Sequence, residues 1–385
     1  INQSTTMGYG VVLFTVGWLV AFGDGLGRGG PIVQFRDVGK SVGIDPPGRD
    51  KVSGPCIADL NQDGFMDIVI ANHARAPGDV YYGSRSGSFS VVQVFESKGD
   101  RHGNAVGDID LNGFPDIIQA IGNRRTSPPL RIEFTNNRGV LSLGNYTAQG
   151  FNGLEYLFDV RLADLDGDGD LDVFATGAFD QQQQHIWENT QSRTQRFRKL
   201  NTTGVQPLVY PLFSPFVLGY LVFDYNGDGF NDIMLLSNGL RLFRGGRNFI
   251  FQDVSDQVLP SKYQSRKFNS AAAVDIDNDG DFDVYVTGGT KLKGDGVGGA
   301  DLLLENRNGM LVDISAGSGI PTSDLRIGIA AGDFDNDGYI DLYLPYASTG
   351  KRARRTRDMI LWNTGRKTFV PYRNNAILLS SRDLT

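Results

Sequence analysis

Apolar positions along the chain come in short runs separated by glycine-rich polar stretches, and the runs recur in pairs. Cys56-Ile57-Ala58 precedes Ile68-Val69-Ile70, and Ala271 to Val274 precede Val284-Tyr285-Val286. Runs of this length, rich in β-branched and aromatic residues and joined by a Gly-Asp-Asn connection, predict β-hairpins. No segment sustains a 3.6-residue apolar period, so helix is a minor element. Downstream of each hairpin lies a looser pattern, a turn followed by F-x-D-V or a variant. Glu305-Asn306-Arg307-Asn308-Gly309 leads to Leu311-Val312-Asp313-Ile314, and Phe249 to Val254 read FIFQDV. Asn-Gly is among the strongest hairpin signals, and the pattern adds two strands to each unit.

The connection inside the hairpins is one motif, D-x-[DN]-x-[DN]-G-x-x-D, which begins at Asp59, Asp108, Asp164, Asp224, Asp275 and Asp333. Self-similarity at a period of about 50 to 60 residues, with four short strands in each unit, predicts an all-β chain folded as a β-propeller of four-stranded blades. Counting blades is harder than finding them. Phe35-Arg36-Asp37-Val38 is a tail strand that precedes the first loop, while the sixth unit carries its own tail at Phe369 to Tyr372. Seven blades are expected, the extra one built from residues 24–51 and the C-terminal end; six blades with a spare strand are the alternative. The propeller is assigned to residues 24–385, following a segment at 1–23 read as a signal peptide or hydrophobic N-terminal stretch.

The motif has the chemistry of a hard-cation site. Ca²⁺ takes six to eight oxygens, so a short loop must turn alternate residues inward. Positions 1, 3, 5 and 9 offer side chains, position 6 supplies a glycine for the sharp turn, and position 7 offers a backbone carbonyl. The candidate ligands are Asp59, Asn61, Asp63, Phe65 and Asp67 in the first loop and Asp108, Asp110, Asn112, Phe114 and Asp116 in the second. The third supplies Asp164, Asp166, Asp168, Asp170 and Asp172; the fourth Asp224, Asn226, Asp228, Phe230 and Asp232. The fifth supplies Asp275, Asp277, Asp279, Asp281 and Asp283; the sixth Asp333, Asp335, Asp337, Tyr339 and Asp341. Any one copy reads equally well as a solvated Asp-Gly turn. Six intact copies point instead to up to six Ca²⁺ ions, because carboxylates packed this closely repel one another until a cation or protons relieve them. Magnesium prefers fewer protein ligands, and zinc would want His or Cys near the loops.

Charge follows the same pattern. The four side-chain positions of the loops hold 21 of the 44 acidic residues, and six Ca²⁺ would move the formal charge from -7 to +5. This clustered acidity argues against a nucleic-acid partner. The single cysteine, Cys56, rules out an intrachain disulfide and sits beside an apolar run as a small packed side chain. The three histidines, His73, His102 and His185, form no triad with a Ser or Cys nucleophile, so no catalytic residue is assigned.

Gly8 to Gly23 is an apolar stretch with Ala21 and Gly23 near its end. It is shorter than the roughly 20 residues that cross a bilayer, and it reads as a signal-peptide core. A membrane association is expected only if that segment is retained. Sequons at Asn145 and Asn201 agree with an extracellular, secreted protein. The basic run from Lys351 to Arg357 reads as a solvated loop, a polyanion patch or a processing site, and Gln181 to Gln184 as an exposed loop.

The loops with their flanks, such as Ala331-Gly332-Asp333-Phe334-Asp335-Asn336-Asp337-Gly338-Tyr339-Ile340-Asp341, resemble the FG-GAP/VCBS repeats of integrin α-subunit propellers. The longer unit, with Leu-Tyr/Trp-x-Asn and F-x-D-V-like tails, is similar to the cartilage acidic protein 1 (ASPIC/UnbV) group of secreted proteins. The resemblance runs over roughly residues 32–378. It implies a seven-bladed propeller with calcium in the hairpin loops and an extracellular adhesion or matrix role, the partner being a protein or a glycan. The rival classes are a polysaccharide-active enzyme or its accessory domain, and a subunit of an extracellular filament or coat.

Overall fold

In the computed structural model the described residues are 38–44, 52–72, 79–93, 101–121, 130–136, 138–143, 149–151, 157–177, 184–192, 196–200, 219–236, 239–264, 266, 268–288, 299–322, 326, 328–345 and 358–372. The N-terminal apolar stretch, Phe35 to Asp37, both sequons, the run from Lys351 to Arg357 and Gln181 to Gln183 lie outside them.

Six four-stranded antiparallel sheets follow one another along the chain. Blade 1 is β1 (Val52–Ala58), β2 (Asp67–Asn72), β3 (Asp79–Tyr82) and β4 (Ser90–Gln93). Blade 2 is β5 (Arg101–Gly107), β6 (Asp116–Ile121), β7 (Leu130–Thr135) and β8 (Leu141–Leu143). Blade 3 is β9 (Leu157–Ala163), β10 (Asp172–Gly177), β11 (Gln184–Asn189) and β12 (Phe197–Lys199). Blade 4 is β13 (Tyr220–Phe223), β14 (Asp232–Leu235), β15 (Arg241–Arg244) and β16 (Gln252–Asp253). Blade 5 is β17 (Phe268–Val274), β18 (Asp283–Gly288), β19 (Leu302–Arg307) and β20 (Met310–Asp313). Blade 6 is β21 (Ala330–Gly332), β22 (Asp341–Leu344), β23 (Met359–Asn363) and β24 (Phe369–Tyr372). The chain is an all-β propeller.

The second strand of a blade is buried on both faces, because blades pack against neighbours on either side. That is why these strands read as unbroken apolar runs rather than alternating ones. Period-2 geometry sends alternate residues to opposite neighbours. In β10, Val173 and Ala175 pack with blade 2 and Phe174 with blade 4. In β14, Ile233 and Leu235 face blade 3 while Met234 faces blade 5. In β18, Val284 and Val286 face blade 4 and Tyr285 faces blade 6. The outer strands, by contrast, are largely open to solvent, as β16 and β24 illustrate.

The expectation of seven blades is corrected to six among the described residues. Each sheet is built from one continuous stretch around one acidic loop, and β24 pairs with β23 as the fourth strand of the sixth. The described end of that leading segment packs on blade 1. Its 3₁₀ turn at Lys40–Val42 packs with Ile44 on Ile68, Ile70 and Tyr81, and the Phe89 N–H donates to the Val42 carbonyl at 2.6 Å. The stretch from Ile314 to Ile320 does the same for blade 6, where the Phe369 N–H donates to the Ser318 carbonyl at 2.7 Å. A seventh blade was expected because Phe35-Arg36-Asp37-Val38 reads as the tail strand of a preceding unit.

Leu304 lies at the fully buried contact between blades 4 and 5, whereas Ile250 is 66% exposed. If inter-blade packing carries the ring, Leu304→Ala lowers the unfolding free energy by about 2–5 kcal/mol. Ile250→Ala changes it by less than about 0.5 kcal/mol. Urea denaturation of both variants checks the contrast.

Candidate metal centre

Each acidic loop is set by strand register. The residue before position 1 pairs with position 9 in every blade: Ala58 with Asp67, Gly107 with Asp116, Ala163 with Asp172, Phe223 with Asp232, Val274 with Asp283 and Gly332 with Asp341. The intervening residues must therefore reverse the chain tightly. They do so with left-handed backbone at position 6, always glycine, and at position 4, where Gln62, Leu111, Asn278 and Asn336 adopt positive φ alongside Gly167 and Gly227. At position 6 an added Cβ would meet nothing within 4 Å. Glycine is thus required there for its backbone freedom and not for space.

The side chains fold inward onto the loop's own N–H groups. Position 1 accepts from the position 6 N–H at 2.8–3.1 Å in all six loops. Position 5 accepts from the position 7 N–H at 2.8–3.1 Å. Position 9 is engaged at both oxygens. One accepts the position 2 N–H at 2.8–3.1 Å. The other accepts an N–H just beyond or at the end of the third strand at 2.7–2.9 Å, from Gly83, Thr135, Asn189, Gly245, Asn306 and Asn363 in turn.

This arrangement brings carboxylates together. Oxygens of Asp108, Asp110 and Asp116 lie within 4.8 Å of one another, as do those of Asp164, Asp166 and Asp172 and of Asp333, Asp335 and Asp341. In the fifth loop the convergent set is Asp275, Asp277 and Asp279. The first and fourth loops carry asparagine at position 3 and so have fewer carboxylates there. Buried carboxylate oxygens without a hydrogen-bond partner remain on Asp170, Asp277 and Asp281. Oxygen-only donors in a tight loop, some of them orphaned, fit a hard cation, and each carboxylate oxygen that already accepts one N–H keeps a second lone pair.

Protons are the alternative occupants. Burial pushes the position 9 carboxyls up from an ordinary value of 3.8 to about 7 at Asp116, Asp232, Asp283 and Asp341 and to about 8 at Asp172. The paired N–H donors pull the other way, and the neighbouring acids of the loop add to the rise. Asp170 and Asp281 are likewise raised to about 6, by burial first.

Neighbouring loops are also bonded to one another. Asn189 Nδ2 donates to the Ile109 carbonyl at 2.9 Å, Asn306 Nδ2 to Tyr225 at 2.6 Å and Asn363 Nδ2 to Ile276 at 2.8 Å, each reaching back to position 2 of the preceding loop. The same three amides also reach the position 8 carbonyl of their own loop. Asn231 Nδ2 donates to the Asp164 carbonyl, and Gln62 Nε2 to that of Gly113. The sequence reading left these residues out of the site, although the asparagine ending the Leu-Tyr/Trp-x-Asn tail was a repeated signal. It also missed Lys367, whose ammonium pairs with Asp277 and with Glu305.

The FG-GAP-like repeat family matches residues 59–118 and 224–286, each stretch running from one acidic loop into the second strand of the next blade. The chain carries FG-GAP-like repeats. The repeats are similar to mouse cartilage acidic protein 1, 25% identical over an alignment of 242 residues that covers 58% of this chain and 35% of that protein. The human protein of the same name is 24% identical, with 58% and 34% covered. The match thus spans about a third of the length of these curated relatives. Among solved structures, an Agrocybe aegerita lectin described as recognising non-reducing terminal N-acetylglucosamine shares the fold at a TM-score of 0.52 and 20% identity, covering 86% of this chain and 82% of its own.

Cys56 behaves as a packed small residue. Its thiol donates to the Asn104 carbonyl at 3.2 Å, and burial pushes its pKa up to about 12. A thiol held protonated in this way is unreactive.

Two outcomes follow. The position 9 carboxyls have folded pKa values above the unfolded one, so their contribution without metal is greatest in acid and is lost as pH rises through about 7–8. In EDTA the melting temperature falls between about pH 5 and pH 8, as differential scanning fluorimetry would show. Separately, the Asn306 amide serves one buried carbonyl, of Tyr225, and one part-buried carbonyl, of Phe282. Asn306→Ala strands both and costs about 1–3 kcal/mol in urea denaturation.

Proposed function

We propose that this FG-GAP-like propeller is a secreted, calcium-stabilised module for extracellular adhesion or interaction, which binds a protein or glycan partner through its ring. The observation that carries the calcium reading is the convergence of carboxylate oxygens from positions 1, 3 and 9 in the second, third and sixth loops, where those three side chains accept hydrogen bonds from backbone N–H groups. The residues that would hold the ions are those of the six motifs, with the position 7 carbonyls of Phe65, Phe114, Asp170, Phe230, Asp281 and Tyr339 completing the set. A divalent cation replaces the protons that burial otherwise forces onto position 9, and it fixes the turns in a chain whose only cysteine is Cys56.

The extracellular role draws support from the similarity to relatives named for cartilage. Glycan as a partner class draws support from the fold shared with a lectin described as recognising terminal N-acetylglucosamine. Calcium serves structure here and binding only indirectly: it stiffens the end of the ring where the loops gather. Among the described residues no helix is long and apolar enough to cross a membrane.

Each site filled at about 100-fold over its dissociation constant adds about 2.7 kcal/mol, so several sites together raise the melting temperature by about 10 °C or more. Calcium titration of EDTA-treated protein is expected to show that rise with release of protons near neutral pH. Binding to glycan and matrix-protein arrays, with and without EDTA, tests the partner reading. An unchanged melt removes calcium from the proposal, and blank arrays remove the adhesion role.

A further inference from the structure

We infer that Lys367 is a resident cation of the fifth acidic loop and lowers the calcium affinity of that loop. The inference rests on the calcium reading of the loops and concerns how one loop departs from the rest.

The turn between β23 and β24 lies over the loop of blade 5, where Lys367 holds positive φ and places its ammonium on Asp277 Oδ2 and, at 2.5 Å, on Glu305 Oε1. Glu305 is further paired with Arg307 at 2.5 Å, so the ammonium sits at the end of a short charge chain. Asp277 is the position 3 residue. In the other five loops the side chain at that position accepts the N–H of position 5, at 3.1–3.3 Å. In the fifth loop Asp277 takes Lys367 instead, its other oxygen is buried without a partner, and the convergent carboxylates are positions 1, 3 and 5 rather than 1, 3 and 9.

Geometry explains why this happens at one loop. In blades 2, 4, 5 and 6 this turn packs near position 3 of the preceding loop, and its residues decide what position 3 meets. In blade 2 the turn brings Gly139 against Asn61, and in blade 5 it brings Gly309 near Asn226, so two of the loops face a neutral glycine. Lys367 brings a full positive charge. A divalent ion entering the fifth loop must displace that ammonium from Asp277 or accept it as a close like-charged neighbour, and either weakens binding. One nearby charge moves a carboxylate's proton affinity by about 1–3 pKa units, so removing the ammonium should tighten a divalent ion at this loop by about tenfold or more.

The test is calcium titration by isothermal calorimetry on the EDTA-stripped full chain, comparing wild type with Lys367→Met, which keeps the aliphatic stem. Lys367→Gln replaces it should the methionine variant fail to fold, Lys367→Arg retains the charge, and Arg138→Met controls for removing a turn cation elsewhere. Wild type, Lys367→Arg and Arg138→Met are expected to share one weak step. In Lys367→Met that step tightens at least about tenfold at low salt, and the gain over wild type shrinks as salt screens the charge that was removed. Adding Asp275→Asn to Lys367→Met then removes the tightened step. Calcium binding by wild type with an unchanged Lys367→Met isotherm overturns the role of Lys367 and leaves the calcium reading standing. No calcium binding by wild type overturns the calcium reading itself.

Discussion

The ring depends on a buried carboxylate used as a stitch. In each blade the aspartate at the end of the acidic loop draws one N–H from the start of the loop and one from the region where the third strand ends, so a single side chain fixes both the hairpin and its connection to the next strand. Burying a charged group is unfavourable unless it is paired and hydrogen-bonded. Two N–H donors satisfy part of that requirement, and the raised pKa values express the remainder. The loop meets that remainder with a proton or with a cation shared among its other carboxylates. Fold and ion chemistry are therefore one problem, since the group that orders the blade is the group that is unstable alone.

From this stitch the rest of the architecture follows in order. With the loop fixed, the second strand starts at a defined register, and its period-2 alternation commits successive residues to the two neighbouring blades. Each blade consequently has two apolar faces that it cannot bury by itself, and stacking supplies the cover. The side-chain amides of Asn189, Asn306 and Asn363 then add a polar belt over these apolar contacts at the loop end of the ring. Two chemically different interactions thus hold the same interfaces, one through the strands and one through the loops.

Legibility in the sequence tracked contact range. The acidic loops, the hairpins around them and the four-strand unit are all written in neighbouring residues, and the strand registers agree with that reading. Blade count was not local. Phe35 to Val38 read as the tail of an earlier unit, yet the residues that follow, Val42 and Ile44, pack on blade 1, a contact no local pattern announces. The asparagine belt joins residues from different repeats, Asn189 to Ile109 and Asn363 to Ile276 among them, which no pattern within one repeat reveals. Position 9 was readable as an inward carboxylate, but its two backbone donors became visible only when the third strand was placed beside it.

Six copies of one motif need not make six equal sites, because each loop borrows part of its surroundings from the following blade. Asn61 meets Gly139, where even a methyl group would collide with it at 2.7 Å, while Asp277 meets the ammonium of Lys367. Asp166 lies under a turn whose Asn248 N–H donates to its carbonyl at 3.1 Å, a neutral contact that leaves the carboxylate free to face the loop. The repeat unit therefore gathers carboxylates in each loop, while the turn of the next blade changes the charge that position 3 meets. On the proposed calcium reading, variation in the turns adds to the differences already present at positions 3 and 5 in grading cation affinity from loop to loop.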